Sequence, residues 1–143
     1  MARLTINESA DGYSDSVTLT ADDFTVAAGN TTTVVSIPVT AGMVIAGAAL
    51  IVDTAFAGVG AATFKVGTDS GSGTNDSEGL IEAIAVNATG IRAVNTGDEL
   101  DNTTKNRTVV TGTGNIIVTA STAIGGVATA GKARLLLDIK RVA

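Results

Sequence analysis

The chain has 143 residues, the length of one domain, with 16% charged residues and a net charge of −5. It contains no Cys and no His, which excludes disulfides, thiolate or imidazole catalysis, and Cys- or His-ligated metal sites from this chain. In soluble domains about a quarter of the residues are usually charged. The low charge content of this chain therefore predicts a homo-oligomer that buries apolar surface between its subunits.

The opening residues show no regular alternation of apolar and polar side chains. We predict an extended N-terminal arm over residues 1–15 and, because no apolar run opens the chain, no secretory signal. We therefore expect synthesis in the cytoplasm. The longest apolar stretch, residues 43–52, covers only about half of the roughly twenty residues that a membrane-spanning helix needs, so we expect no membrane partner.

From residue 16 onwards, short apolar–polar alternations are separated by Gly, Asn and Asp. Residues 16–20 and 35–39 alternate as strands do, and Pro38 in the second predicts an edge position or the end of that strand. Residues 43–56 form the longest strand candidate. Its two faces are both apolar: Val44, Ala46, Ala48, Leu50 and Val52 on one, and Met43, Ile45, Ala49 and Ile51 on the other. This pattern predicts a central strand, or one lying between its own core and a neighbouring subunit.

The second half of the chain continues the pattern after a polar loop over Thr68–Gly79. Leu80–Val86 permits a short helix or a strand, and we favour a strand or one helical turn. Residues 108–111 and 115–120 flank Gly112-Thr113-Gly114, which predicts a hairpin.

The last strand candidate shows the clearest alternation, with Ala133, Leu135, Leu137 and Ile139 facing one way. About eight to ten short strands separated by turns predict an all-β fold, either an antiparallel β-sandwich or a jelly-roll-like barrel. We expect a single β-sandwich domain over residues 16–143.

The polar loop is the best candidate for a metal site. Carboxylate and amide oxygens suit Ca²⁺, which takes six to eight of them, and the loop offers four such side chains: Asp69, Asn75, Asp76 and Glu78. EF-hand spacing fails, because Gly71 and Gly73 stand where ligands belong. A flexible hairpin loop is the favoured interpretation, so we predict no metal and no cofactor.

The remaining acids do not form an obvious catalytic pair. On a strand, Asp22 and Asp23 would point to opposite faces, and Glu78 and Glu82 could share a helical face without other polar groups nearby. Ser9, Ser14 and Ser16 have no general base to activate them. We therefore predict a protein that is not an enzyme. The chain also lacks a dense basic patch with interleaved aromatics, so we expect no nucleic-acid partner.

Charge is distributed unevenly along the chain. Residues 1–90 hold ten acids and two bases, whereas residues 91–143 hold four acids and seven bases. The favoured interpretation is scatter over one folded surface. The alternative is a head-to-tail contact, in which an acidic patch on one subunit meets a basic patch on the next.

Two segments carry a family resemblance. An apolar strand, an Ala-Gly turn and a long apolar strand occupy Thr33–Gly67, and Ala130–Ile139 closes the chain. Together they resemble the small β-sandwich proteins that decorate or cement the capsids of tailed bacteriophages. The resemblance implies a virion structural protein bound to the capsid exterior, often as a trimer or dimer, that bridges subunits of the major capsid protein.

These inferences lead to a first hypothesis and two alternatives. The first hypothesis is a capsid decoration protein, a homo-oligomer (a trimer in preference to a dimer) whose arm and longest strand contact neighbours. The interface candidates are Leu4, Ile6, Tyr13, Met43, Ile45 and Ile51. The alternatives are a head-fibre or tail-associated structural module, and a calcium-dependent β-domain that uses the acids of the polar loop.

Overall fold

The computed structural model describes residues 4–10, 13–23, 25–26, 31–60, 62–73, 75–102, 105–121 and 126–141, and only the backbone of residues 4–10, 25–26, 31–32 and 126–127. Within these ranges the chain is almost entirely β-structure, with two short 3-10 turns, Ala21–Asp23 and Ser70–Ser72. No helix in them is long and apolar enough to cross a membrane.

The described ranges contain twelve strands, of which nine have five residues or more. In chain order they are β1 Leu4–Ala10, β2 Tyr13–Thr20, β3 Thr25–Val26, β4 Thr31–Val39, β5 Val44–Ala57, β6 Thr63–Thr68, β7 Ile81–Ala85, β8 Gly90–Val94, β9 Thr108–Val109, β10 Gly114–Ser121, β11 Gly126–Val127 and β12 Ala130–Lys140. Leu80–Val86, which the sequence left open, therefore contains a strand.

Two antiparallel sheets make up the fold, which confirms the all-β sandwich prediction. One sheet has the order β1-β2-β12-β5-β8, with β9 also paired to β5. The other has the order β4-β10-β6-β7, and β3 and β11 form a separate two-stranded ribbon. Pro38 lies on β4, at the edge of its sheet. The open side of an edge strand forms no ladder hydrogen bonds, so a residue without a backbone N–H is tolerated on such a strand.

The centre of the larger sheet is the pairing of β5 with β12. Buried residues of β12 lie directly opposite buried residues of β5: Ala133 opposite Val52, Leu135 opposite Leu50, Leu137 opposite Ala48, and Ile139 opposite Ile45. β5 also pairs with β8 and β9 on its other side, so the prediction that it is a central strand is confirmed.

The facing sheet completes the core with Phe64 and Val66 from β6 and Ile116 and Val118 from β10, all fully buried. The chain has few aromatic residues, and two of them meet here. The rings of Phe56 and Phe64 lie edge to face, with centroids 5.2 Å apart. That arrangement suits the ring quadrupoles, and most of the remaining core consists of Val, Ile, Leu and Ala.

The register of β5 is interrupted by a bulge. Asp138 of β12 lies opposite Gly47, but the next residue, Ile139, lies opposite Ile45, so Ala46 is the extra residue. A strand bulge of one residue exchanges the two faces of the strand beyond it. Ile45 therefore shares the core face with Ala48, whereas an unbroken strand would place them on opposite faces.

The N-terminal segment differs from the predicted arm. Residues 4–10 form β1, which pairs with β2 at the edge of the larger sheet, and β2 begins at Tyr13. The predicted boundary between residues 15 and 16 therefore lies inside a strand. The physical reason is that Asp15 interrupts the apolar alternation of β2 while its side chain is paired inside the fold, as described below.

Replacing Leu135 with Ala tests the β5–β12 core. Leu135 is fully buried between Val17 and Leu50 of the neighbouring strands. We expect Leu135→Ala to lower the free energy of unfolding by about 2–5 kcal/mol, because it removes buried methyl groups and leaves a cavity. Urea unfolding followed by far-UV circular dichroism measures the change. Lys132→Ala, an exposed position on the same strand, is the control and should change it by less than about 0.5 kcal/mol.

Candidate interaction surface

The large apolar side chains that the structure leaves exposed lie on one edge of the larger sheet. Among the described residues they are Ile91 (69% exposed), Val94 (48%) and Val109 (52%). Ile91 and Val94 belong to β8 and Val109 to β9. We call these three residues the apolar edge. Scattered exposed apolar residues are normal on a protein surface, but their concentration on a single sheet edge is typical of a contact surface.

A bulge explains why Ile91 and Val94 share a face. In β8, Ala93 lies opposite Leu50 and Ile91 lies opposite Ile51, which leaves Arg92 without a partner on β5. The extra residue turns Ile91 to the same side as Val94, away from the core. Arg92 instead donates a hydrogen bond from Nε to the carbonyl oxygen of Ala85, at 3.1 Å.

Asn95 separates β8 from β9 along the edge of β5. Its backbone N–H donates to the carbonyl oxygen of Ala48 at 2.8 Å, and its side-chain Oδ1 accepts from the N–H of Ala48, also at 2.8 Å. The side chain thus replaces a backbone partner. Asn95 adopts a positive φ of 50°, a conformation that Asn tolerates better than most residues.

Each residue of the apolar edge begins a row of cross-strand neighbours on the outer face of the sheet. The three rows are Ile91–Ile51–Arg134, Val94–Ala49–Leu136 and Val109–Val44–Lys140. The middle row is apolar throughout. Ala49 and Leu136 are buried, yet neither belongs to the core cluster between the sheets. The outer face next to the apolar edge therefore has an apolar, buried middle row between two rows that end in Arg134 and Lys140.

The structure places the predicted interface residues in different environments. Ile51 is half-buried on the outer face, and Tyr13 is half-buried with its ring beside Gly47 on that same face. Met43 is half-buried against the core. Leu4 and Ile6 lie in β1, where only the backbone is described.

Ile45 must be removed from the set of interface candidates. It is fully buried inside the core, because the bulge at Ala46 turns it inwards. The apolar edge itself was not among the predicted interface residues. The sequence did contain a signal for it, since residues 91–94 form a run too short for a central strand and are bounded by turns, as edge strands often are.

The polar loop holds together through its own hydrogen bonds. Asp69 Oδ1 accepts from the backbone N–H groups of Ser72 and Asn115, at 3.3 and 2.9 Å, and Oδ2 accepts from Asn115 Nδ2 at 2.9 Å. These bonds, the side-chain bond from Asn115 first, hold the pKa of Asp69 below its usual range. Asp69 therefore joins the loop to β10, a structural use of a residue predicted as a weak calcium ligand.

The other three calcium candidates are spread along the loop. Asp76 Oδ1 accepts from the backbone N–H of Glu78, Glu78 forms an ion pair with Lys65, and Asn75 is exposed. In the part of the chain that the structure describes, no group of three or more acidic side chains is placed to hold a metal ion.

The acid pairs considered for catalysis also occupy ordinary positions. Asp22 and Asp23 lie in the 3-10 turn Ala21–Asp23 and not on a strand, and Asp23 Oδ2 accepts from the N–H of Thr20 at 2.8 Å. Glu78 lies in a turn and Glu82 in β7, so the two do not share a helical face.

Ion pairs connect the acidic and basic parts of the chain. Arg134 pairs with Asp53, with both guanidinium–carboxylate bonds at 2.9–3.0 Å, and Arg141 pairs with Asp15. Each pair joins a base from the C-terminal part to an acid from the N-terminal part within one chain. The uneven distribution of charge is therefore partly balanced inside the subunit, which favours scatter over a head-to-tail contact.

Asp15 and Arg141 form the most deeply buried of these pairs. The Asp15 side chain is 0% exposed, and its two oxygens accept from Arg141 Nη1 and Nη2 at 2.8 and 2.5 Å. The neighbouring Ser14 hydroxyl donates to Asp15 Oδ1 at 2.6 Å and accepts from the N–H of Ile139 at 2.9 Å. The start of β2 is thereby fastened to the end of β12.

The pKa of Asp15 lies below its usual range. Burial acts to raise it, but the hydrogen bonds from Arg141 and Ser14 and the charge of Arg141 more than offset that effect. The hydrogen bond from Arg134 similarly lowers the pKa of Asp53. Both carboxyls therefore stabilise the fold above their unfolded pKa of about 4, and this stability is lost as the pH falls through their folded pKa values.

Comparisons of this chain with models of known protein families, with curated protein sequences and with solved structures find no match. Its function is therefore inferred from its own residues and fold.

Replacing Arg141 with Gln tests the buried pair. We expect Arg141→Gln to lower the free energy of unfolding by about 1–3 kcal/mol at pH 7, below the usual cost of breaking a buried pair because Arg141 is 41% exposed. The pKa of Asp15 should also rise in the variant, so stability should start to fall at a higher pH than in the wild type. Urea unfolding between pH 3 and 7 measures both effects.

Arg134→Gln is the matched control, because its partner Asp53 is partly exposed. Its cost should stay below about 1 kcal/mol. Equal losses for the two variants, or an unchanged pH profile for Arg141→Gln, would show that burial of Asp15 does not set the strength of its pair.

Proposed function

We propose that this chain is a non-catalytic virion structural protein that binds the outer surface of a bacteriophage capsid and stabilises the shell. It acts as a homo-oligomer, a trimer in preference to a dimer, and its second partner is the major capsid protein. The observation that carries the proposal is the apolar edge, which exposes Ile91, Val94 and Val109 together on a chain with few charges.

Adhesion is the activity that the apolar edge supports. Burying a Val or Ile side chain contributes about 1.5–3 kcal/mol relative to full exposure, and the edge residues have roughly half of their surface left to bury. One edge therefore supplies only a few kcal/mol. Several such contacts within one oligomer bound to a repeating lattice would combine into firm attachment, because the later contacts form at high effective concentration.

The use of the acidic side chains also supports a structural role. Asp15, Asp53 and Asp69 each bind a base or the backbone of another strand. These bonds join parts of the chain that are distant in sequence, which suits a protein whose task is mechanical.

Light scattering of the purified chain tests the role of the edge in self-association. We expect the wild type to give a discrete trimer, and Ile91→Glu or Val94→Glu to give a folded monomer at the same concentration. A carboxylate in each contact should cost at least about 3 kcal/mol, more than a hundredfold in association. Ser36→Glu, an exposed position on β4, is the control and should remain a trimer. A monomeric wild type, or edge variants that still form trimers, would contradict the prediction.

Density-purified phage particles provide the test of location. We expect tryptic peptides of this chain in the particles, and antibodies against the chain should label the capsid surface evenly in negative-stain images. Label confined to fibres or tails would favour the head-fibre or tail-associated module instead. A melting temperature that rises with Ca²⁺ and falls with EDTA would favour the calcium-dependent domain.

A further inference from the structure

A cavity of about 480 Å³ opens beside β9, at the end of the larger sheet. Its described lining consists of Gly73, Glu99, Lys105, Asn106, Arg107, Thr108 and Val109. The volume lies within the range of small-molecule sites, and it is far larger than a single inorganic ion requires. Val109 also belongs to the apolar edge and gives the cavity one apolar wall.

Glu99 is the acid of this lining, and its carboxylate is already occupied. Lys105 Nζ donates to both oxygens, at 3.1 and 3.0 Å, and the buried Thr108 hydroxyl donates to Oε2 at 3.3 Å. The Glu99 side chain is only 11% exposed. A ligand entering the cavity would therefore meet a carboxylate whose charge is balanced by Lys105, and a cationic ligand would have to displace that lysine.

The donors that stay available in the cavity are cationic or neutral. Arg107 is exposed and forms no ion pair with any other described residue. Its guanidinium offers five N–H donors in a planar fork that matches the two oxygens of a carboxylate. With Lys105 and Arg107 set against Glu99, the described lining carries a net charge of +1, which attracts an anion.

We propose that this cavity binds an organic carboxylate, held by Arg107 through two parallel hydrogen bonds, with the body of the ligand against Val109 and Gly73. Because Val109 also belongs to the apolar edge, the inference rests on the proposed oligomer leaving the cavity beside Val109 open to solvent. The same chemistry is available from two sources, a free sugar acid or an acidic side chain on a neighbouring protein, and the experiment separates them.

NMR titration of the full chain tests the site. Backbone amide shifts are followed during addition of glucuronate, of a capped glutamate tripeptide and of sulfate at constant ionic strength. We expect saturable shifts at Gly73 and at 106–109 for the carboxylates, with sulfate at least about tenfold weaker because it has no organic body to pack against Val109. Tighter binding of glucuronate indicates a sugar acid, whereas tighter binding of the peptide indicates an acidic side chain.

Three variants assign the binding to Arg107. Arg107→Gln should weaken carboxylate binding about tenfold or more, and Arg107→Lys should restore only part of it, because lysine keeps the charge but loses the fork. Lys132→Gln removes one positive charge from β12 and should bind like the wild type. The proposal is overturned if no saturable shift occurs, if sulfate binds as tightly as the carboxylates, or if Arg107→Gln binds as well as the wild type.

Discussion

The pairing of β5 with β12 is the constraint on which the other parts of the structure depend. Ten residue pairs join these two strands, and the inward-facing members supply the centre of the core. β12 holds β2 on one side, and β5 holds β8 and β9 on the other. The positions of the buried Asp15–Arg141 pair and of the apolar edge therefore both follow from this one ladder. Because the chain has so few aromatic residues, its core is held by many contacts between small aliphatic side chains and not by a few large aromatic side chains.

Scarcity of charge gives the ion pairs a particular importance. Arg134–Asp53 and Arg141–Asp15 join strands that are distant in sequence, and the second brings the beginning of β2 to the end of β12. We expect the Asp15–Arg141 pair to act mainly through specificity, because a misplaced strand would leave the buried Asp15 carboxylate without its partner. None of these ion pairs involves Ile91, Val94 or Val109, so the residues of the apolar edge stay exposed beside a fold whose strands are joined by charge.

The sequence was sufficient to predict the fold class, the central position of β5 and the edge position of Pro38. These features follow from local patterns: the alternation of apolar and polar residues, the turn residues between strands, and a proline within a strand. The sequence was not sufficient to predict which side chains face outwards. That depends on two bulges, at Ala46 and at Arg92, and each shifts a register by one residue. Ile45 was expected at an interface and lies in the core, whereas Ile91 and Val94 share the surface despite their odd spacing. The cavity beside β9 brings Gly73 of the polar loop next to residues of the segment 99–109, a proximity that no local pattern contains.

Asn95 has a consequence for how the sheet can grow. An open sheet edge with a continuous row of free amides can recruit further strands without limit, which is the route to fibrils. Here the edge is divided into two short strands, and the Asn95 side chain occupies the amide of Ala48 between them. No long strand from another molecule can form an unbroken ladder along β5. A partner at this edge would therefore have to contact the side chains of Ile91, Val94 and Val109 rather than add a strand to the sheet.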